Sequence, residues 1–347
     1  MKPRQIVQAA LDFQDTPRTP RQLWTLSWPE IHHPGELARI RERFPDDIKH
    51  VPPVYRTPPR TSGNPWEPGT YVDEWGCPFE NCQRGQIGEV KTPPLSSVAE
   101  VLDYPLPEEL LSLNTEEVDR YCAAHEEFHL PGAVVRPFER LQFLCGSETF
   151  FVELLEEPEA AEKALRHLHE FHLKELEVWA RTKVDGLFVI DDWGSQNALL
   201  ISPDLWRKLF KPLYADYAAL AHQHGKRLFM HSDGYILPIM EDLIEAGVDA
   251  INSQVFCMGV EELGRRFRGR ITFWGEIDRQ SILPHPSREP VERAVDAMWE
   301  HLRAPHGGGV IAQCEFGLGA RPENVWRVFE RWEELDAALV GSRMTHA

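Results

Sequence analysis

Five places along the chain set potentially reactive side chains just after a short apolar run: Asp191 and Asp192, His231 and Asp233, Asn252 and Gln254, Glu276 and Asp278, and Cys314 and Glu315. Imidazole, carboxylate and thiolate together suit zinc, and three protein ligands with one open position make a catalytic metal site. His231-Ser232-Asp233 puts two such ligands on the same side of an extended segment, because alternate strand residues point the same way. Cys314 would be the third ligand, from another strand. Asp191, Asp192 and Glu276 are candidates for general acid and base, and Glu276 or Asp278 could also complete a metal's coordination. Trp193, Asn252, Gln254, Asp278 and Arg140 are candidate substrate contacts. A plainer reading stands beside each of these. His231 could hydrogen-bond locally, and Cys314 could be a small buried hydrophobe. The paired aspartates could cap a helix, and Glu276 and Asp278 could anchor a loop. His167, His169 and His172 lie in a strongly charged helical segment and read as a solvated face.

Side chains so far apart in sequence meet only if the strands carrying them converge. From about residue 95 onward apolar runs alternate with helical periodicity, the pattern of parallel β/α units. Strands are expected at Gly186–Ile190, 227–230, 250–255, 271–274 and 309–312. A helix opens at Ser202-Pro203-Asp204, where Ser202 can cap and Pro203 suits the first turn, and ends near Gly225. Further helices are expected over 236–246, Val260–Phe267, 288–302 and 322–339. In a barrel of parallel strands the carboxyl ends form one face, where the five polar pairs would gather. The expected fold is thus α/β, a (β/α)8 TIM barrel over residues 96–347. Residues 1–95 hold 15 of the 28 prolines together with Trp24, Trp28, Trp66 and Trp75. They are expected to form a loop-rich extension wrapped onto the barrel, the whole making one structural domain, since proline limits the entropy lost on ordering a loop and buried rings anchor it.

Composition narrows the partners. At 347 residues with 42% apolar and 27% charged residues, the chain can bury a sizeable core. A formal charge of −18 disfavours nucleic acid and anionic membrane surfaces. The six cysteines show no C-x-x-C spacing and read as reduced thiols. Neither a long apolar span nor a signal-like amino end is evident, so a cytoplasmic protein acting on a small molecule is expected, with a homodimer admitted.

The order of motifs resembles the uroporphyrinogen decarboxylase superfamily and the cobalamin-linked methyltransferases related to it. The resemblance runs through Asp73-Glu74-Trp75-Gly76-Cys77, Phe138-Glu139-Arg140, Asp191-Asp192-Trp193-Gly194, Ser202-Pro203, the segment 226–234 with His231, Trp274-Gly275-Glu276-Ile277-Asp278 and Pro322-Glu323-Asn324. The arginine-rich amino-terminal segment with which the decarboxylases grip their substrate is not evident. In the zinc methyltransferases a His-x-Cys pair and a later Cys hold the metal. The resemblance therefore implies His231 and Cys314 as ligands, with Asp233 where the first cysteine stands. A carboxylate there leaves zinc more Lewis acidic than a thiolate would, which favours polarising an ether or phenolic oxygen. The implied activity is zinc-assisted methyl transfer between a small, methoxylated substrate and a corrinoid (cobalamin) protein, an O-demethylation. Two alternatives remain. One is a metal-free lyase acting on a carboxylated substrate through Arg136, Arg140, Arg279 and Arg321. The other is a non-catalytic binding protein.

Overall fold

In a computed structural model, which describes residues 1–133 and 135–344, eight strands run parallel: β1 (Arg21–Thr25), β2 (Ile48–Val51), β3 (Phe128–Pro131), β4 (Gly186–Ile190), β5 (Arg227–Ser232), β6 (Ala250–Ser253), β7 (Thr272–Trp274) and β8 (Val310–Phe316). Six form one curled sheet in the order β1-β8-β7-β6-β5-β4, and β2 pairs with β3. Single backbone hydrogen bonds flank that pair, from Asp47 N–H to Arg21 O at 2.9 Å and from Asp185 N–H to His129 O at 2.8 Å. The arrangement is TIM-barrel-like.

Strand alternation sorts the side chains into two cores. Ile48, Phe128, Leu130, Phe188, Phe229, Ala250, Trp274 and Ile311 form an inner cluster, joined by Val7 and Leu11 of the helix Pro3–Leu11. Their strand neighbours, such as Leu187, Val189, Leu228, Met230, Ile251, Phe273, Ala312 and Cys314, belong to the outer core shared with the helices. Strands buried on both faces carry apolar residues without alternation, so composition alone does not show which residues point inward.

The amino-terminal third differs from the expectation of a wrapped extension. It supplies β1, whose Arg21–Thr25 ladders against Ala312–Phe316, and β2. A boundary at residue 95 therefore cuts through the strand system. These strands are short, and their inward positions Gln22, Trp24 and His50 are polar or aromatic, with Ile48 the one aliphatic residue among them, which explains why no apolar run betrays them. The segment also holds the helices Pro3–Leu11, Ser27–His32 and Pro34–Arg43 and an antiparallel sheet of Gly69–Val72, Pro78–Asn81 and Glu89–Val90. Among the described residues no helix is long and apolar enough to cross a membrane.

Candidate functional site

The site begins with a chain of hydrogen bonds across three strand ends. The Asn252 side-chain amide donates from Nδ2 to the carbonyl oxygen of Trp274 at 2.5 Å, which leaves Asn252 Oδ1 as an acceptor. His231 Nδ1 lies 2.6 Å from that oxygen and must donate to it. The network thus places a proton on Nδ1, so that in the neutral ring the Nε2 lone pair faces the two aspartates, the arrangement by which ligating histidines are oriented. Beside the imidazole, Trp24 and Trp274 pack edge to face, and both ring N–H groups donate to Gln22 Oε1.

Two carboxylates face His231 Nε2. Asp192 Oδ1 and Asp233 Oδ1 each stand 3.6 Å from it, and one ligand atom from each of the three residues lies within 4.8 Å of the others. The aspartates meet because the loops after β4 and β5 touch. Asp233 N–H donates to Asp192 Oδ1 at 2.8 Å, and Gly194 N–H donates to Asp233 O. A Cβ on Gly234, whose φ is +81°, would sit 2.0 Å from Gly194 O, so only glycine permits this approach. Asp233 Oδ2 pairs with Arg279, which also reaches Glu315 Oε2 at 2.9 Å. Asp233 Oδ1 is buried and has no hydrogen-bond partner. An unpartnered carboxylate oxygen beside an imidazole lone pair fits a metal ion, because buried polar atoms otherwise find donors.

Two further carboxyl groups surround this trio. Glu276 is 2% exposed, its Oε2 has no partner, and burial pushes it up to about 8 against the pull of Arg279. Together with Gln254, Phe256, Cys257 and Arg279 it lines a small pocket at the barrel mouth. Glu139 also has a buried, unpartnered oxygen, and burial raises its carboxyl, opposed chiefly by Arg136 and pushed further by Asp192. Glu139 is a site member that residue types did not single out, and Arg279 was expected only as a grip for a carboxylated substrate, not as the partner of Asp233. Their signals were their neighbours, since each adjoins a residue already noted, Arg140 and Asp278.

Several expected residues stand elsewhere. Cys314 is fully buried, but it pairs in register with Leu23 and points to the outer, helix-facing core, while Gln313 and Glu315 take the inward positions. It is not brought to His231. Alanine at 314 is therefore expected to leave metal content unchanged and cost about 1 kcal/mol of stability, to be checked by elemental analysis and urea denaturation of the variant. Asp191 also points outward. It accepts hydrogen bonds from the Phe138 and Glu139 backbone and from the Tyr214 hydroxyl, anchoring the first turn of the helix Pro137–Cys145. Burial raises its carboxyl and these donors oppose the rise, so its role is positional. Trp193 is fully buried, stacked on Phe138 with ring centroids 4.1 Å apart and donating to Tyr214, and cannot touch a substrate. Asp278 anchors its own loop by accepting from Gln280 and Ser281. Asn252 orients His231, and Arg140 pairs with Asp73 at 2.6 Å. His169 and His172 are buried rather than solvated, at 7% and 1% exposure.

The comparisons with known proteins agree with this architecture. The family model described as uroporphyrinogen decarboxylase (URO-D) matches residues 71–335. No curated protein matches the chain. A methyltransferase from Methanosarcina mazei superposes with a TM-score of 0.69 at 15% identity, covering 96% of this chain and 99% of the other, which shows a shared fold. A D-psicose 3-epimerase, at TM-score 0.36 and 13% identity over 72% of this chain and 86% of its own, is too distant to carry an argument. With the matched segment running from the antiparallel sheet through β3 to β8 and into the last helix, the chain belongs to the uroporphyrinogen decarboxylase family.

Proposed function

We propose that this chain is a metal-assisted methyltransferase built on a closed (β/α)8 barrel, moving a methyl group from a small methoxylated substrate to a corrinoid protein. The observation that carries the reading is the trio Asp192, His231 and Asp233, with an oriented imidazole lone pair and an orphaned carboxylate oxygen at the carboxyl face of the strands. The fold shared with a methyltransferase supports it. The donor set contains one nitrogen and two oxygens, with Asp192 in the place expected for Cys314. Zinc accepts such ligands and, when bound, would supply Lewis acidity toward the departing oxygen. The protein's own groups do the rest. Glu276, raised to about 8, keeps its proton at neutral pH and can give it to the oxygen that leaves with the bonding pair, and a reduced corrinoid on the partner protein would supply the electron pair that takes the methyl group. Arg279 fixes Asp233 and Glu315, and Asn252 fixes the imidazole.

The lyase alternative needs arginines free to grip a carboxylated substrate. Arg140 is paired with Asp73, Arg279 with Asp233 and Glu315, and Arg321 with Glu323, while Arg136 lies 3.8 Å from Glu139. The methyl-transfer reading is tested by elemental analysis of protein prepared with zinc present, followed by incubation with a reduced corrinoid protein and methoxylated aromatics. About one metal per chain and a chelator-sensitive methylcobalamin spectrum are expected. Absence of metal would sink the reading, and metal without turnover on any donor would leave a binding protein.

A further inference from the structure

Outside the trio, the helix Pro158–Ala180 carries a buried acid, Glu175, without a direct counter-ion. Glu175 is 4% exposed, makes no ion pair among the described residues, and its Oε2 has no hydrogen-bond partner. It lines a cleft with Glu74, Tyr55, Trp179, Leu110 and the residues Gly132 and Ala133 that follow β3. The cleft encloses about 790 Å3, part of it open to solvent. Arg140, the cation that acts on Glu175, is itself held by Asp73 and lies 3.9 Å from Glu74. His172 offers no charge, since burial holds it down at about 3. Three carboxyl groups therefore share one guanidinium.

We propose that this cleft binds a small organic ammonium ion, with Glu175 and Glu74 as counter-charges and Tyr55 and Trp179 as aromatic walls. The pairing of carboxylates with aromatic and apolar surface sets the class. A bare metal ion needs several oxygen ligands, whereas an alkylammonium ion places its charge on the acids and its methyl groups against rings, leucine and proline. Burial, with Glu74 adding to it, pushes Glu175 up to about 8, so the acid releases its proton to solvent as the ammonium enters and its carboxylate then faces the cation. The site is distinct from the trio and needs no metal, so it stands or falls apart from the methyl-transfer reading.

The test is calorimetric titration of the full chain with tetramethylammonium chloride, alongside 3,3-dimethylbutan-1-ol as a neutral analogue of similar shape and potassium chloride as an inorganic cation. Saturable binding by the ammonium alone is expected, weakened about tenfold or more in Glu175→Gln and in Glu74→Gln, corresponding to loss of one charged contact. Chelator treatment and His231→Ala should leave it unchanged. Circular dichroism confirms that each variant is folded, and the exposed position of Glu74 relative to Glu175 makes it the safer of the two. Equal binding of the alcohol or of potassium, undiminished affinity in both variants, or no saturable binding of the ammonium would each overturn the proposal.

Discussion

Alanine in place of His231 is expected to abolish metal retention and reduce methyl transfer to background, and alanine in place of Asn252 should weaken metal affinity 10- to 100-fold without removing a ligand. The first effect follows from the trio's composition, since His231 supplies its single nitrogen and stands between the two aspartates. The second is the more searching. Asn252 touches the site only through His231 Nδ1, and its own orientation is fixed by the Trp274 carbonyl. Without it the imidazole can turn or adopt the other tautomer, and the lone pair no longer points at the aspartates on average. Competition against a chromophoric zinc chelator measures both variants. An unaltered affinity in Asn252→Ala would show that the packing of Trp24 against the ring suffices to hold it. Retention of metal in His231→Ala would place the ion elsewhere.

How far the site could be read from sequence depends on strand parity. The polar residues at the carboxyl ends of β4 to β8 were visible because each follows an apolar run, and the convergence of His231, Asp233 and Asp192 needed only a barrel. Adjacent polar pairs are another matter. Asp191 and Asp192 lie on opposite faces, and so do Cys314 and Glu315, and a slip of one residue exchanges inside for outside. The segment Val310–Phe316 is buried at every position, so nothing in its composition fixes the register. The expected strand stopped at residue 312, so Cys314 was placed at a carboxyl end turned toward the site, when it lies inside the strand and faces the helices. The strands β1 and β2 escaped notice for a related reason. Apart from Ile48, their inward side chains are polar or aromatic because they lie at the site, and Gln22 there ties Trp24 to Trp274. Function removed the hydrophobic pattern by which strands are recognised.

Loss of Arg140 is expected to destabilise the fold by about 3–5 kcal/mol, more than loss of any single group at the site. Arg140 is 5% exposed, and its guanidinium meets Asp73 at 2.6 Å while lying 4.7 Å from the centroid of the Trp75 ring. Asp73 is equally buried, and its other oxygen accepts the backbone N–H groups of Trp75 and Cys77. The pair therefore fastens the turn Asp73–Cys77, which joins the first two strands of the antiparallel sheet, to the helix Pro137–Cys145 whose first turn positions Glu139. Arg140→Ala leaves a carboxylate buried without its counter-ion, and the penalty is that of an uncompensated charge rather than of the bond alone. Lysine should recover little, because it cannot lie flat over Trp75 while reaching Asp73. Combining Arg140→Met with Asp73→Asn should restore most of the loss, since the amide still accepts from the turn and no charge remains. Urea denaturation of the three variants decides it. If Arg140→Ala costs under about 1 kcal/mol, or the double variant is no better than the single one, the ion pair is not what holds the amino-terminal turn to the barrel.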